Sequence, residues 1–156
     1  DATSSLEELS DGEFQRVIGE VEPINAKMVT RVIFCSGKVY YELIAARHER
    51  KIGHVAIARL EQFYPFPQDS FQEELAKYPK ATEVVWCQEE PRNQGAWYWI
   101  ASRQHLSRSL SDKQHLLLVS RPASASPAVG YQSKHNAQQK ALIDSAFGEI
   151  EYYKLP

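Results

Sequence analysis

The chain has 156 residues, of which 43% are hydrophobic and 24% charged, proportions typical of one folded domain and not of a disordered chain. Its 18 basic and 20 acidic residues leave a net charge of -2, which excludes the strongly basic surface that nucleic acid or an anionic membrane would require. No apolar stretch is long enough to cross a bilayer and no signal peptide is visible. The two cysteines lie 52 residues apart in apolar runs, which favours free thiols and therefore the reducing cytosol.

The N-terminal segment, residues 1–28, is the least regular part of the sequence. Residues 5–9 predict one or two helical turns, with Ser4 or Ser5 as the N-cap and acidic residues in the first turn. Glycines and a proline then interrupt every sustained pattern. We interpret residues 1–28 as a connector that either wraps another domain or frays.

Residues 29–147 alternate between apolar runs and helical patterns. Buried strands are predicted at 32–35, 55–60, 83–87 and 116–119. Helices are predicted at 38–50, from a Ser70–Glu73 capping box to Pro79, from Gly95 onward and at 133–147. This alternation predicts an α/β fold, a doubly wound, mostly parallel sheet with helices on both faces. An additional or reversed edge strand stays open, and residues 148–156 are interpreted as a tail.

Glycine placement and metal-ligand spacing exclude several kinds of site. The seven glycines include no two separated by a single residue, so the dinucleotide fingerprint and the phosphate-binding loop are both missing. His48 and His54 lack the spacing of metal ligands. Cys35 and Cys87 stand alone in apolar runs and are predicted to be buried free thiols. We therefore predict no catalytic, cofactor-binding or metal-binding residue on this chain.

Three polar turns follow predicted strands, at 36–38, 88–95 and 121–128, where doubly wound sheets bind their ligands. Lys38, beside the amides of a helix start, and Arg121, a forked donor, are candidate anion contacts. A simple cap and tight turn is the competing interpretation of the first turn. Glu89 and Glu90 are adjacent on an extended segment, so we expect them to point to opposite faces. One of them is expected to cap the following helix or to pair with Arg92.

Three longer strings carry a resemblance to a known family. They are RVIFCSGKVYYE (31–42), QEEPRNQGAWY (88–98) and RPASASPAVGY (121–131). Together they resemble the C-terminal domain of the decarboxylating component of 2-oxoglutarate dehydrogenase, and the resemblance covers about residues 5–147. In that family the domain is similar to the transketolase C-terminal domain, which implies a doubly wound α/β fold.

The resemblance also implies a function for the parent enzyme. Such enzymes use thiamine diphosphate and magnesium to decarboxylate 2-oxoglutarate in the tricarboxylic acid cycle, and pass a succinyl group to the lipoyl arm of a partner acyltransferase. The cofactor motif belongs to an earlier domain of the family, so no cofactor is expected on this chain. The location implied is the bacterial cytoplasm, or the mitochondrial matrix for a eukaryotic source.

For this chain itself the resemblance implies a non-catalytic dimerisation and scaffold domain, inactive alone, that contacts other domains of its polypeptide and a second copy. The positions carried over as candidate interface or channel contacts are Gln88, Glu89, Glu90, Asn93, Gln94, Arg121, Ser124 and Ser126. The alternative is a regulatory module that binds an anionic effector such as a nucleotide or coenzyme A, through Lys38 and Arg121.

Overall fold

A computed structural model of the protein describes residues 3–102 and 105–148. Within these ranges the strands are β1 (Val17–Ile18), β2 (Arg31–Cys35), β3 (Val55–Leu60), β4 (Glu83–Pro91) and β5 (His115–Arg121). The α-helices are α1 (Leu6–Asp11), α2 (Val39–Glu49), α3 (Gln68–Ala76), α4 (Trp97–Ser102), α5 (His105–Arg108) and α6 (Gln132–Ala146). None of the described helices combines the length and the apolarity needed to cross a membrane.

The strands form a single five-stranded sheet in the order β1-β3-β2-β4-β5. The four long strands are parallel, and β1 runs antiparallel to β3 at one edge. The predicted α/β class, with a mostly parallel sheet and helices on both faces, is therefore confirmed. The reversed edge strand that the sequence left open is β1. It comes from the predicted connector and, with two residues, is too short to show any alternation.

Each face of the sheet has its own apolar core, because side chains alternate along the strands. Val32 and Phe34 of β2 pack with α3, α4 and α5, whereas Ile33 and Cys35 pack with α2 and α6. Cys35 and Cys87 are both buried and unoxidised, as predicted. Burial raises the pKa of each thiol, so neither readily forms the thiolate that a nucleophile requires.

Two helix boundaries differ from the sequence prediction. The helix α3 begins at Gln68, and the carbonyl of Pro67 accepts the first helical hydrogen bond from the Phe71 amide at 3.0 Å. The predicted Ser70–Glu73 capping box is therefore wrong, because the fixed φ of proline starts the helix earlier. The helix predicted from Gly95 begins at Trp97, and the described residues of this region form α4 before residue 103 and α5 after residue 104.

The strand order places one crevice at the carboxyl ends of β2 and β4. From β2 the chain continues to β3 on one side, and β4 then lies against the other side of β2. In open α/β sheets the connections on the two sides of such a reversal lead to opposite faces, and ligands bind in the gap between them. The polar turns predicted from the sequence all lie along this carboxyl edge.

Candidate functional site: the carboxyl edge of the sheet

The three polar turns are brought together by strand register. Cys35 of β2 is paired with Cys87 of β4, and Pro91 of β4 is paired with Arg121 of β5. The strand β4 extends four residues beyond its predicted end, through a register irregularity between Cys87 and Pro91. Bulges of this kind bend a strand and redirect its side chains, and here the bend places residues 88–91 between the other two turns.

Gln88 is buried at the centre of this edge, with 3% of its surface exposed. Its Oε1 accepts hydrogen bonds from Trp86 Nε1 at 2.9 Å and from the Trp97 amide at 3.0 Å. Its Nε2 donates to the carbonyl of Gln94 at 2.8 Å and more weakly to those of Glu90 and Pro91. The Gln88 side chain therefore closes the 88–97 loop and caps α4, the position that had been assigned to Glu89 or Glu90.

Asn93, Gln94 and Ser124 join the second turn to the third. Asn93 Oδ1 accepts from the Ser124 amide and Asn93 Nδ2 donates to the Ser124 carbonyl, both at 2.9 Å. Gln94 Nε2 donates to the same carbonyl at 3.0 Å. In the third turn Ser126 Oγ donates to the carbonyl of Ala128 at 2.8 Å. Amide pairs of this type fix loop geometry, so these predicted contact residues first of all hold the two loops in one arrangement.

Glu89 lies on the α2 and α6 side of the sheet. It pairs with Lys38 Nζ at 2.9 Å and accepts from Gln139 Nε2 at 3.1 Å. Lys38 also approaches Glu42 at 3.5 Å, and Gln139 Nε2 donates to Glu42 at 2.9 Å. The bond to Glu89, with help from Glu42, raises the pKa of Lys38. Lys38 is therefore held by two carboxylates of its own chain.

Glu90 lies on the opposite face, as the alternation along β4 predicts. It borders a cavity of about 150 Å³ whose apolar wall includes Phe63, Trp86 and Ala96, and whose rim is formed by Ser36 and Gly37. The two adjacent glutamates therefore share no site and cannot act as a paired acid and base.

Arg121 lies at the end of β5 with only 9% of its surface exposed. Its Nη2 donates to Gln139 Oε1 at 2.7 Å, and its Nε has no hydrogen-bond partner in the described part of the chain. The Gln139 amide thus lies between the Arg121 guanidinium and the carboxylates of Glu42 and Glu89. Of the two predicted anion contacts, Lys38 is paired by carboxylates and Arg121 by a neutral amide.

Sequence reasoning missed Gln139 and Glu42, which link all three turns. Gln139 lies on the same helical face as Leu142, Ile143 and Ala146, which are buried against the sheet. A polar residue on such an apolar stripe is the signal that could have revealed it, because buried amides require partners. Within the described residues, no group of three His, Cys, Asp or Glu side chains could hold a metal ion.

Comparison with known proteins identifies relatives of the whole chain. Residues 3–147 match the family model described as "2-oxoglutarate dehydrogenase C-terminal". A protein named 2-oxoglutarate dehydrogenase E1 component from Cupriavidus necator is 52% identical over 155 residues, which is 99% of this chain and 16% of that protein. Proteins of the same name from Haemophilus influenzae and Coxiella burnetii are 50% and 48% identical, each over 93% of this chain and over 15% and 16% of their own length.

Proposed function

The chain belongs to the 2-oxoglutarate dehydrogenase C-terminal family, and we propose that it serves as the dimerisation and scaffold domain of a 2-oxoglutarate dehydrogenase E1 component. The observation that carries the proposal is the coverage, since the chain spans only about 16% of the length of its curated relatives. A segment of that size corresponds to one domain of a longer polypeptide.

The geometry of the carboxyl edge supports a scaffold role. Its loops are cross-linked by the neutral amides of Gln88, Asn93 and Gln94, which gives a rigid surface without an activated nucleophile. Large aromatic side chains lie exposed near the same edge: Tyr64 is 77% and Tyr98 is 62% exposed, and the Tyr64 ring packs edge-on against Trp99 at 5.6 Å. Exposed aromatic residues of this kind are typical anchors of protein interfaces.

The parent reaction is part of the proposal. The resemblance implies that the whole polypeptide uses thiamine diphosphate and magnesium to decarboxylate 2-oxoglutarate and to succinylate the lipoyl arm of a partner acyltransferase in the tricarboxylic acid cycle. The described residues do not fit this cofactor, because they offer neither clustered glycines for a diphosphate nor a set of metal ligands. We therefore propose that the remainder of the polypeptide binds the cofactor. We also propose that the whole protein works in the bacterial cytoplasm.

Sedimentation velocity on the chain tests the dimerisation role. We expect reversible self-association that weakens in the Tyr64→Ser/Tyr98→Ser double variant, because the variant removes apolar contact area. The matched control is Val21→Ser, since Val21 is 64% exposed but lies on the N-terminal segment. A chain that stays strictly monomeric at high concentration would contradict the dimerisation role.

A further inference from the structure

A groove of about 310 Å³ lies between the end of β5 and the first turns of α6. Arg121 lies at one side of it, and Lys134 and Gln138 of α6 lie at the other. Its remaining wall is formed by Pro91 and by the small-residue loop 122–129, which contributes prolines, alanines, a valine and two serines. The groove therefore combines two cationic side chains with a short apolar wall, as expected of a site for a small organic anion.

The Arg121 guanidinium is the unusual member of this groove. It is more than nine-tenths buried, yet no carboxylate of the described residues forms an ion pair with it. Its hydrogen-bond acceptor, Gln139, is neutral, and the Nε proton has no acceptor within residues 3–102 and 105–148. A buried cation and a buried unpaired donor are both costly, so a ligand that supplies an oxyanion to Nε would relieve both costs at once.

The surroundings favour negative charge at the same place. The helix α6 is 15 residues long, and its N-cap residue Tyr131 makes no side-chain capping bond, so the amides of the first turn lack a side-chain acceptor. Lys134 lies in that first turn, is exposed and forms no ion pair within the described residues. The two carboxylates that the Gln139 amide contacts, those of Glu42 and Glu89, are already engaged by Lys38.

We propose that this groove binds the carboxylate or phosphate group of a small molecule, with Arg121 as the forked donor and Lys134 as the second charge. The chemistry required is that of an oxyanion, which arginine recognises through parallel N–H donors. The groove is formed by residues of this chain alone, and anion binding there does not depend on the proposed dimerisation role.

Nuclear magnetic resonance of the 15N-labelled chain tests the groove directly through the Nε–H resonance of Arg121. Inorganic phosphate and acetate are titrated separately in the millimolar range, against chloride at matched ionic strength. We expect a saturable shift with phosphate, with acetate or with both. A preference for phosphate identifies the ligand class as a phosphate ester, and a preference for acetate identifies it as a carboxylic acid.

Two variants and a matched control separate binding at the groove from general ionic effects. Lys134→Ala and Arg121→Lys are each expected to weaken the saturable binding by about tenfold, the loss typical of a charged hydrogen bond, as followed by amide resonances of loop 122–129. Lys140→Ala removes an equivalent charge from the same helix outside the groove, where Lys140 pairs with Asp144, and should leave the affinity unchanged. The proposal is overturned if neither anion gives a saturable shift, or if all three variants bind as the original chain does.

Discussion

Two buried arginines, Arg47 on α2 and Arg121 on β5, differ in the charge of the groups that they contact. Arg47 is 4% exposed, forms an ion pair with the buried Glu20, reaches Glu22 at 2.7 Å and donates to the Val55 carbonyl at 3.2 Å. Arg121 is nearly as buried, but among the described residues its side chain bonds the neutral Gln139 and its Nε has no partner. The charge of Arg47 is thus neutralised by carboxylates, whereas the charge of Arg121 has no carboxylate partner among the described residues.

The partners of the two arginines indicate different roles for the two regions. Glu20 belongs to the segment that continues from β1, and its carboxylate also accepts from the Ile57 amide of β3 at 2.9 Å. The ion pair therefore fastens the N-terminal segment to both α2 and the edge of the sheet, which is a structural task completed inside the chain. An arginine that has no counter-charge among the described residues instead indicates that a ligand completes the pair.

The largest effect should come from breaking the compensated pair. We expect Glu20→Ala to lower the free energy of unfolding by about 3–5 kcal/mol, because it removes the buried carboxylate of the pair and leaves Arg47 with only the more exposed Glu22 as a counter-charge. Urea unfolding followed by circular dichroism measures the loss. The matched control is Glu22→Ala, at a carboxylate whose side chain is 30% exposed, with an expected loss of about 1 kcal/mol. Equal losses for the two variants would contradict the distinction between them.

The amide-linked loops of the carboxyl edge should be less sensitive. Gly95 has a φ of 71°, and an added Cβ would lie 3.0 Å from Gln88 Nε2, whereas Gly37 has a φ of 75° and open space around it. Gly95→Ala should therefore cost about 2–3 kcal/mol, from backbone strain and crowding of Gln88, and Gly37→Ala about 1 kcal/mol from strain alone. Equal unfolding midpoints for both variants would show that the Gln88 contacts do not hold the loop.

Replacement of Arg121 should lower the free energy of unfolding by less still. Arg121→Met removes one hydrogen bond and leaves no carboxylate unpaired, so we expect a loss of about 1 kcal/mol. Arg47→Met, in contrast, strands Glu20 and should cost about as much as Glu20→Ala. Thermal and urea unfolding of the two variants gives a direct ranking. A loss for Arg121→Met as large as that for Arg47→Met would mean that Arg121 is a structural residue after all.

The contrast between the two arginines also shows how far sequence reasoning reaches. The strands β2 and β4 and the helix α2 were predicted because apolar runs and helical spacing are local signals. The role of Glu20 was missed because its partner lies 27 residues away, and β1 was missed because two residues carry no pattern. The turns at the carboxyl edge were recognised as polar, but only the fold shows that Gln139 separates Arg121 from Glu89.

The smallest effect concerns Asp144, which pairs with Arg50 at 2.7 Å and with Lys140 at 2.6 Å and stands between the two extremes. The hydrogen bond from Lys140, followed by that from Arg50, lowers the pKa of Asp144 against the opposing effect of burial. A carboxyl whose pKa is lower in the folded state stabilises the protein above its ordinary pKa of 3.8, and this contribution is lost as the pH falls through the folded value.

Because Lys140 is 76% exposed, we expect Asp144→Asn to cost only about 0.5–1 kcal/mol at neutral pH. The variant should also unfold with a shallower dependence on acid pH, which urea midpoints at neutral pH and below pH 3.8 would measure. An unchanged acid dependence in the variant would mean that Arg50 and Lys140 do not stabilise the Asp144 carboxylate. It would also mean that the presence of an ion pair does not by itself distinguish Arg47 and Arg50 from Arg121.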